Sequence, residues 1–515
     1  MSESFPIRFR SQTLLISLCL LLTGIAHSKP EKHGIIELQV RYAEATPFSN
    51  LIYGVNNEWV HLPYSPDTPQ FIDVYKELGV PTFRYPAGTA SNYLNMTTGF
   101  AEGWPGMAEG NAKRVADNNA TLKRRGKEHG VDIRNYIRFI KATDATSNYI
   151  LNVSSMTLEE NRRVLNQLKA SGINIQHFEL GNELYHGTYA TAFPSPEDYL
   201  TKGRIYVQMV KQIFPQAKVA VVVHPYFFID EMDIDGLRTS SKRLRTWYDV
   251  LQKEDFFDAV AVHMYAYTGM DHKTVEMLPY LEVYANACMN ADQTADSTID
   301  RLASDFPGKE IWVTEYHVGG FSTNLRKYRM RYSYLGALYN TGFMLRLFSH
   351  PEVTLSSWHA IPQWIDPVIS SDNGSMQEGD FFKTKVTFDF FKQFRDPVKL
   401  TNQLVPVHVL RKAGSKPSAN FMEFQAAVFL NPKTGDGYLV VLNKQDADHS
   451  LDTTVLENAL SGKLIAGSAL SPSLALPLDK ALASEDQLMK TDLDIKADGI
   501  SIKPFSVTLL QFQKD

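Results

Sequence analysis

The segment FELGNELYHG, Phe178 to Gly187, runs an apolar stretch directly into Asn182 and Glu183. An ionised carboxylate leaving an apolar layer must be solvated, paired or used. A second segment, EIWVTEYH, does the same at Glu315, 132 residues further on. For either glutamate alone, a salt bridge to a neighbouring loop is an adequate explanation. Two acids that open onto one cleft have a chemistry of their own. In glycosidic-bond cleavage one carboxyl protonates the leaving oxygen while the other attacks the anomeric carbon across an oxocarbenium-like transition state. Whether Glu183 and Glu315 can share a cleft depends on the elements that carry them.

Short apolar runs alternate with amphipathic helical stretches between about residues 48 and 397, the pattern of parallel βα units. Eight runs qualify as strands: NLIYGVNNE near Ile52, PTFRYPAG near Phe83, NYILNVSS near Leu151, IQHFELGNE near Phe178, AKVAVVVHP near Val221, FDAVAVHMY near Val260, EIWVTEYH near Val313 and VTLSSWHAI near Leu355. Helix ends are marked as well. Thr157 and Glu160 form a capping box for a helix that Gly172 stops, and Ser195 followed by Pro196 starts the next helix. Eight repeats predict a (β/α)8 TIM barrel over residues 48–400. A doubly wound open sheet is disfavoured by the strand count and by the lack of a Gly-rich turn after the first strand. In a barrel, Glu183 ends strand four and Glu315 strand seven, so both project from the C-terminal face.

From about Val405 onward, alternating runs such as GYLVVLNK and SVTLLQF are separated by Gly, Pro, Asn and Asp. This predicts a C-terminal antiparallel β-sandwich over residues 401–515, joined by a strand within residues 34–47. At the N-terminus Arg8 and Arg10 precede LLISLCLLL, Leu14 to Leu22, with small residues at Gly24, Ala26 and Ser28. That reads as a signal peptide over residues 1–28, cut after Ala26 or Ser28, with export to the periplasm or medium. The apolar run is shorter than the ~20 residues of a membrane span, and no later segment qualifies. Removing the signal takes Cys19 with it and leaves Cys288, so no internal disulfide is expected.

The 515 residues, 44% hydrophobic and 21% charged, suffice for two domains with a large core. A net charge of -5 and short basic runs such as LKRRGK, Leu122 to Lys127, give no broad footprint for nucleic acid. Metal and cofactor are not expected: His224, His263, His317 and His359 lie on four strands without ligand spacing, and the two-carboxylate reaction needs no metal. No strand-turn-helix G-x-S-x-G offers a serine nucleophile. Trp358 and Trp364, near the end of strand eight, are candidates either for stacking on sugar faces or for core packing.

With these positions assigned, the sequence resembles the clan A retaining glycoside hydrolases. There an Asn-Glu pair ending strand four supplies the acid/base and a Glu ending strand seven is the nucleophile, matched here by Asn182-Glu183 and by Glu315 in TEY. FRYPAG resembles the second-strand motif of the clan's α-L-arabinofuranosidases, which implies that Arg84 holds the nucleophile ionised. IYGVNNEW resembles their first-strand segment, with Glu58 placed to bind a sugar hydroxyl. HMY resembles the pattern in which His263 and Tyr265 line the catalytic centre, and KPFSVTLLQF is similar to the last strand of the accompanying sandwich in arabinofuranosidases, heparanase-like glucuronidases and some xylosidases. The chain departs from the arabinofuranosidase pattern at YPAGTASNYLN, where a second Gly and an Asn would follow the Pro. The resemblance implies an exported retaining hydrolase of a polysaccharide or its oligosaccharides. A glucuronidase-type hydrolase of acidic polysaccharides is the first alternative, with LKRRGK as its mark if that run faces the cleft. A non-catalytic glycan-binding protein is the second, and it would be expected to have lost one carboxylate.

Overall fold

The computed structural model describes residues 34–57, 66–124, 126–127, 130–225, 241–266, 278–318, 333–361, 385–411, 424–484 and 486–514. Glu58, Trp364 and the expected signal peptide lie outside them, as does Arg125 of the basic run.

The eight apolar runs are the eight strands of a closed parallel barrel. Barrel strand 1 is Gly54–Asn57, strand 2 Thr82–Tyr85, strand 3 Thr146–Leu151 and strand 4 His177–Leu180. Strand 5 is Lys218–Val222, strand 6 Ala259–Ala266, strand 7 Glu310–Val318 and strand 8 Val353–Ile361. Each pairs in parallel with the next, and strand 8 closes on strand 1 through Trp358 opposite Val55. Their sequences read as near-continuous apolar runs because helices cover the outside while packed side chains fill the inside. The helix Leu158–Ala170 starts in the capping box: the Glu160 amide donates to Thr157 Oγ1 at 3.2 Å, and the Thr157 amide to the Glu160 carboxylate at 2.8 Å. Pro196–Ile213 starts on the equivalent Ser195–Asp198 pair.

The second unit is a ten-stranded curled sheet rather than a purely antiparallel sandwich. Gly34–Val40 lies between Gln403–Arg411, which it pairs antiparallel, and His449–Asp452, which it pairs in parallel. A strand from before the barrel enters between two strands from after it, so its direction is opposed to one neighbour and matches the other. The strand Gly437–Asn443 is buried throughout. Leu439 and Val441 join a core enclosed by the curl, with Ile36, Val405, Val428 and Leu510. Alternate residues Val440 and Leu442 belong to the barrel's own core, as do Phe429, Leu470, Phe505 and Val507. Phe429 meets Phe48, Phe348 and Phe394 edge-on at centroid distances of 5.2–5.9 Å. The helix Tyr334–Phe348 is buried along nearly its whole length between barrel and sheet, and Tyr334 donates from its hydroxyl to the Phe505 carbonyl at 2.7 Å. Among the described residues no helix is long and apolar enough to cross a membrane.

Candidate active site

The buried guanidinium of Arg84, near the end of barrel strand 2, organises the C-terminal mouth. Its Nη1 donates to Glu315 Oε1 at 2.6 Å. Nε and Nη2 donate to the two oxygens of Glu179 at 2.8 Å each, and Nη2 also reaches Asn182 Oδ1 at 2.8 Å. A planar fork of five N–H donors suits such bidentate recognition, and burial without these acceptors would be prohibitive. Burial acts to lower the Arg84 pKa, but the charges of Glu179 and Glu315 outweigh it and leave the guanidinium firmly protonated.

Glu315 reaches Arg84 through an irregularity. The pairing of strands 6 and 7 shifts between Val262 and His263, so that His263 lies opposite Glu315 and Thr314 is the extra residue. A bulge sets consecutive side chains toward the same side. Thr314 Oγ1 donates to Glu179 Oε2 at 3.3 Å, while Glu315 takes Arg84 on one oxygen and the Tyr265 hydroxyl on the other. Gly88 makes room for it, since a Cβ there would stand 2.8 Å from Glu315 Oε1. Burial pushes the Glu315 carboxyl up, but the charges of His263, His359 and Arg84 and the Tyr265 hydrogen bond hold it well below the usual carboxylate range.

Glu183 sits in the turn after strand 4, where Gly181 has φ +80° and Glu183 itself φ +49°. A left-handed non-glycine residue persists only where its surroundings hold it. They do so here. Asn92 accepts from the Asn182 amide at 2.9 Å and donates to the Asn182 carbonyl at 2.6 Å, and the His186 amide bonds the Glu183 carbonyl at 3.0 Å. Glu183 Oε1 is 2.7 Å from His263 Nδ1, and Oε2 is 3.7 Å from His186 Nε2. His263 Nδ1 is also 3.6 Å from Glu315 Oε2, so the imidazole bridges the two acids. Burial raises Glu183, but His263 lowers it further; burial lowers His263, but Glu315 and Glu183 raise it further.

The His263 imidazolium, with its pKa above the ordinary histidine value, contributes stability that is complete below about pH 6.5 and is lost as pH rises through the raised value. The thermal midpoint of the native protein, followed from pH 5 to 10, is therefore expected to fall on the alkaline side more steeply than that of His263→Gln. Parallel curves would show that the imidazole is not charged in the folded state.

Barrel strands 2, 6 and 7 and the turn after strand 4 thus bring Glu183, Glu315, Arg84, Asn182, His263 and Tyr265 into one cluster. Trp358 does not join it. Its neighbour His359 points inward to stack on His317 at 5.4 Å, so alternation turns Trp358 outward. There it lies against Tyr316 and Phe391, 1% exposed, as core packing rather than as a surface for sugar. Glu179, Asn148, Asn92 and His186 also belong to the site, although their place in the sequence does not single them out. Asn148 Nδ2 donates to Glu179 Oε1. One ligand atom from each of Glu183, His263 and Glu315 falls within 4.8 Å of the others. A cation there would face the Arg84 guanidinium across Glu315, which makes the set a poor metal site.

No protein-family model matches the sequence, and no curated protein matches it. Solved structures do. A GH51 arabinofuranosidase from Xanthomonas axonopodis pv. citri superposes with a TM-score of 0.62 at 14% identity, covering 93% of this chain and 100% of that one. A family 51 alpha-L-arabinofuranosidase from Bifidobacterium longum gives 0.61, also at 14% identity and with the same coverage. A Paenibacillus polymyxa xyloglucanase of glycoside hydrolase family 44 gives 0.56 at 12% identity, covering 94% of this chain and 100% of that one. The likeness is one of fold, the barrel and β-domain of clan A glycoside hydrolases.

Proposed function

We propose that the chain is an exported retaining O-glycoside hydrolase of a polysaccharide or its oligosaccharides. The observation that carries this reading is the pair Glu183 and Glu315, with carboxylate oxygens within 4.8 Å of each other at the barrel mouth. Retaining enzymes hold the carboxyls about 5–5.5 Å apart, and inverting ones roughly 6.5–9.5 Å to admit a water. Glu315, ionised beside Arg84, attacks the anomeric carbon as the glycosidic bond breaks. Glu183 delivers the proton to the leaving oxygen. Burial and, more weakly, the negative charge of Glu315 push its carboxyl toward the protonated form, but His263 outweighs them and holds it below the usual carboxylate range. The proton that Glu183 delivers is therefore the one it shares with the imidazole across 2.7 Å. Once Glu315 is an ester its push is gone, and Glu183 takes a proton from the incoming water. A glycan-binding protein without catalysis would be expected to have lost one of the two carboxylates, and this chain has both.

An acidic substrate is the second reading. Arg114, on the helix Glu109–Arg124, carries a charge that acts to lower the pKa of the Tyr93 hydroxyl and of His186, so a cation stands near the proposed acid/base. Both readings are tested by incubating the purified protein with aryl glycosides that include uronides, and following the first-formed anomer by NMR. Retained configuration on at least one sugar is expected, and preference for a uronide would favour the acidic reading. Inversion, or no cleavage across the panel, would overturn the assignment. Export is tested separately by N-terminal sequencing of the mature protein, expected to begin just after Ala26 or Ser28.

A further inference from the structure

Glu179 is 0% exposed, inside the barrel, and reaches the mouth through the side chain of Arg84. Among the described residues, the groups that meet its two oxygens are all donors: Arg84 Nε and Nη2, Asn148 Nδ2 and Thr314 Oγ1. Arg84 therefore holds two carboxylates, one sealed in the barrel and one, Glu315, facing the cleft. This double pairing matters for the covalent step of the retaining reaction, and its significance rests on the glycosidase reading. As the glycosyl-enzyme forms, a Glu315 oxygen bonds the anomeric carbon. The glycosidic C–O bond breaks with its electron pair on the leaving oxygen, which takes a proton from Glu183. Glu315 thereby changes from carboxylate to neutral ester. A buried guanidinium whose only counter-ion vanished would be left uncompensated, a situation that costs several kcal/mol.

We propose that Glu179 is a positioning residue that serves as the permanent counter-ion of Arg84, so that Glu315 can surrender its charge without leaving a buried guanidinium unpaired. The bidentate contact also fixes the guanidinium plane, keeping Nη1 aimed at Glu315 in both states. Glu179 does not touch the reacting atoms. It acts on the glycosylation step through Arg84, because that is where the charge on Glu315 disappears.

One test needs no substrate. Glu315→Gln imitates the neutral ester, so thermal unfolding is compared for Glu315→Gln, Glu179→Gln and the double variant. The midpoint of the double variant is expected to fall by clearly more than the two single falls together, because only there does Arg84 lack any carboxylate of the pair. Additive falls would overturn the proposal. If Glu179→Gln alone does not fold, Arg84→Met is added to it. Recovery of folded protein is then expected, and failure to recover would show that Glu179 is needed for packing rather than for charge.

A second test separates the two chemical steps. A 2,4-dinitrophenyl 2-deoxy-2-fluoroglycoside of the sugar cleaved in the aryl glycoside panel should accumulate an ester on Glu315, read by mass spectrometry. Glu179→Gln is expected to form that ester at least about tenfold more slowly, a barrier change of roughly 1.4 kcal/mol, and to release it no more slowly. Equal slowing of both steps is the outcome of a merely structural role, and would overturn the proposal. A native protein that forms no ester on Glu315 would overturn the glycosidase reading instead, leaving the unfolding comparison to decide the counter-ion.

Discussion

Glu315→Ala is expected to lower kcat/KM by roughly 10⁵-fold or more for every substrate, however good its leaving group, since loss of a covalent nucleophile costs on that scale. Glu183→Ala is expected to behave differently. A substrate with a poor leaving group should lose about 10²–10⁴-fold, the usual contribution of general acid catalysis. A dinitrophenyl glycoside departs without protonation, so its first step should be nearly spared and the glycosyl-enzyme should accumulate for want of a base. Azide needs no deprotonation. It should restore turnover in Glu183→Ala and give a glycosyl azide with the configuration of the starting sugar. The structure adds a control, because His263 stands 2.7 Å from Glu183 and 3.6 Å from Glu315. If the imidazole itself delivered the proton, Glu183→Ala would keep its activity on poor leaving groups. Exchange of the two rescue patterns would show that acid and nucleophile are assigned the wrong way round.

A chain ended after Leu400 is expected to yield insoluble protein and no active barrel. Phe429 packs edge-on against Phe48, Phe348 and Phe394. Removing one such buried ring costs about 3–5 kcal/mol, against a total stability of roughly 5–15 kcal/mol. Truncation also removes Val440, Leu442, Leu470, Phe505 and Val507 from the barrel's core, takes the Phe505 carbonyl from Tyr334, and strips Gly34–Val40 of both neighbours. Sedimentation of the expressed fragment, with activity measured on any soluble fraction, checks this. A soluble fragment with native activity would show that the curled sheet is only an accessory.

The barrel was legible because strands buried on both faces must be apolar along their length, and eight such runs stood between recognisable helix ends. Glu183 and Glu315 were legible because each interrupts such a run at its end. Alternation along VTLSSWHAI turns Trp358 outward once His359 is set inward, but the sequence alone does not say which of the two faces the barrel interior. Glu179 was hidden for a related reason: it lies inside the apolar run HFEL rather than at its end. A carboxylate in a strand covered on both sides nevertheless needs a buried cation, and Arg84, itself inside an apolar strand, is the cation that meets it. The bulge at Thr314 had no signal in composition. Nor did the parallel pairing of Gly34–Val40 with His449–Asp452, because register and neighbour choice depend on contacts distant in the chain.

The placement of Gly34–Val40 sets a timetable for folding. Its hydrogen-bonding neighbours are Gln403–Arg411 and His449–Asp452, so the first described strand waits for most of the chain before its backbone groups can be paired. Barrel strand 1 in turn closes on barrel strand 8. During synthesis, which releases the N-terminal part first, neither sheet can be completed early, and the apolar flank of Tyr334–Phe348 stays bare until the last strands arrive. Such long-range closure makes folding slow. It also leaves the emerging chain open for a long interval before it can lock shut.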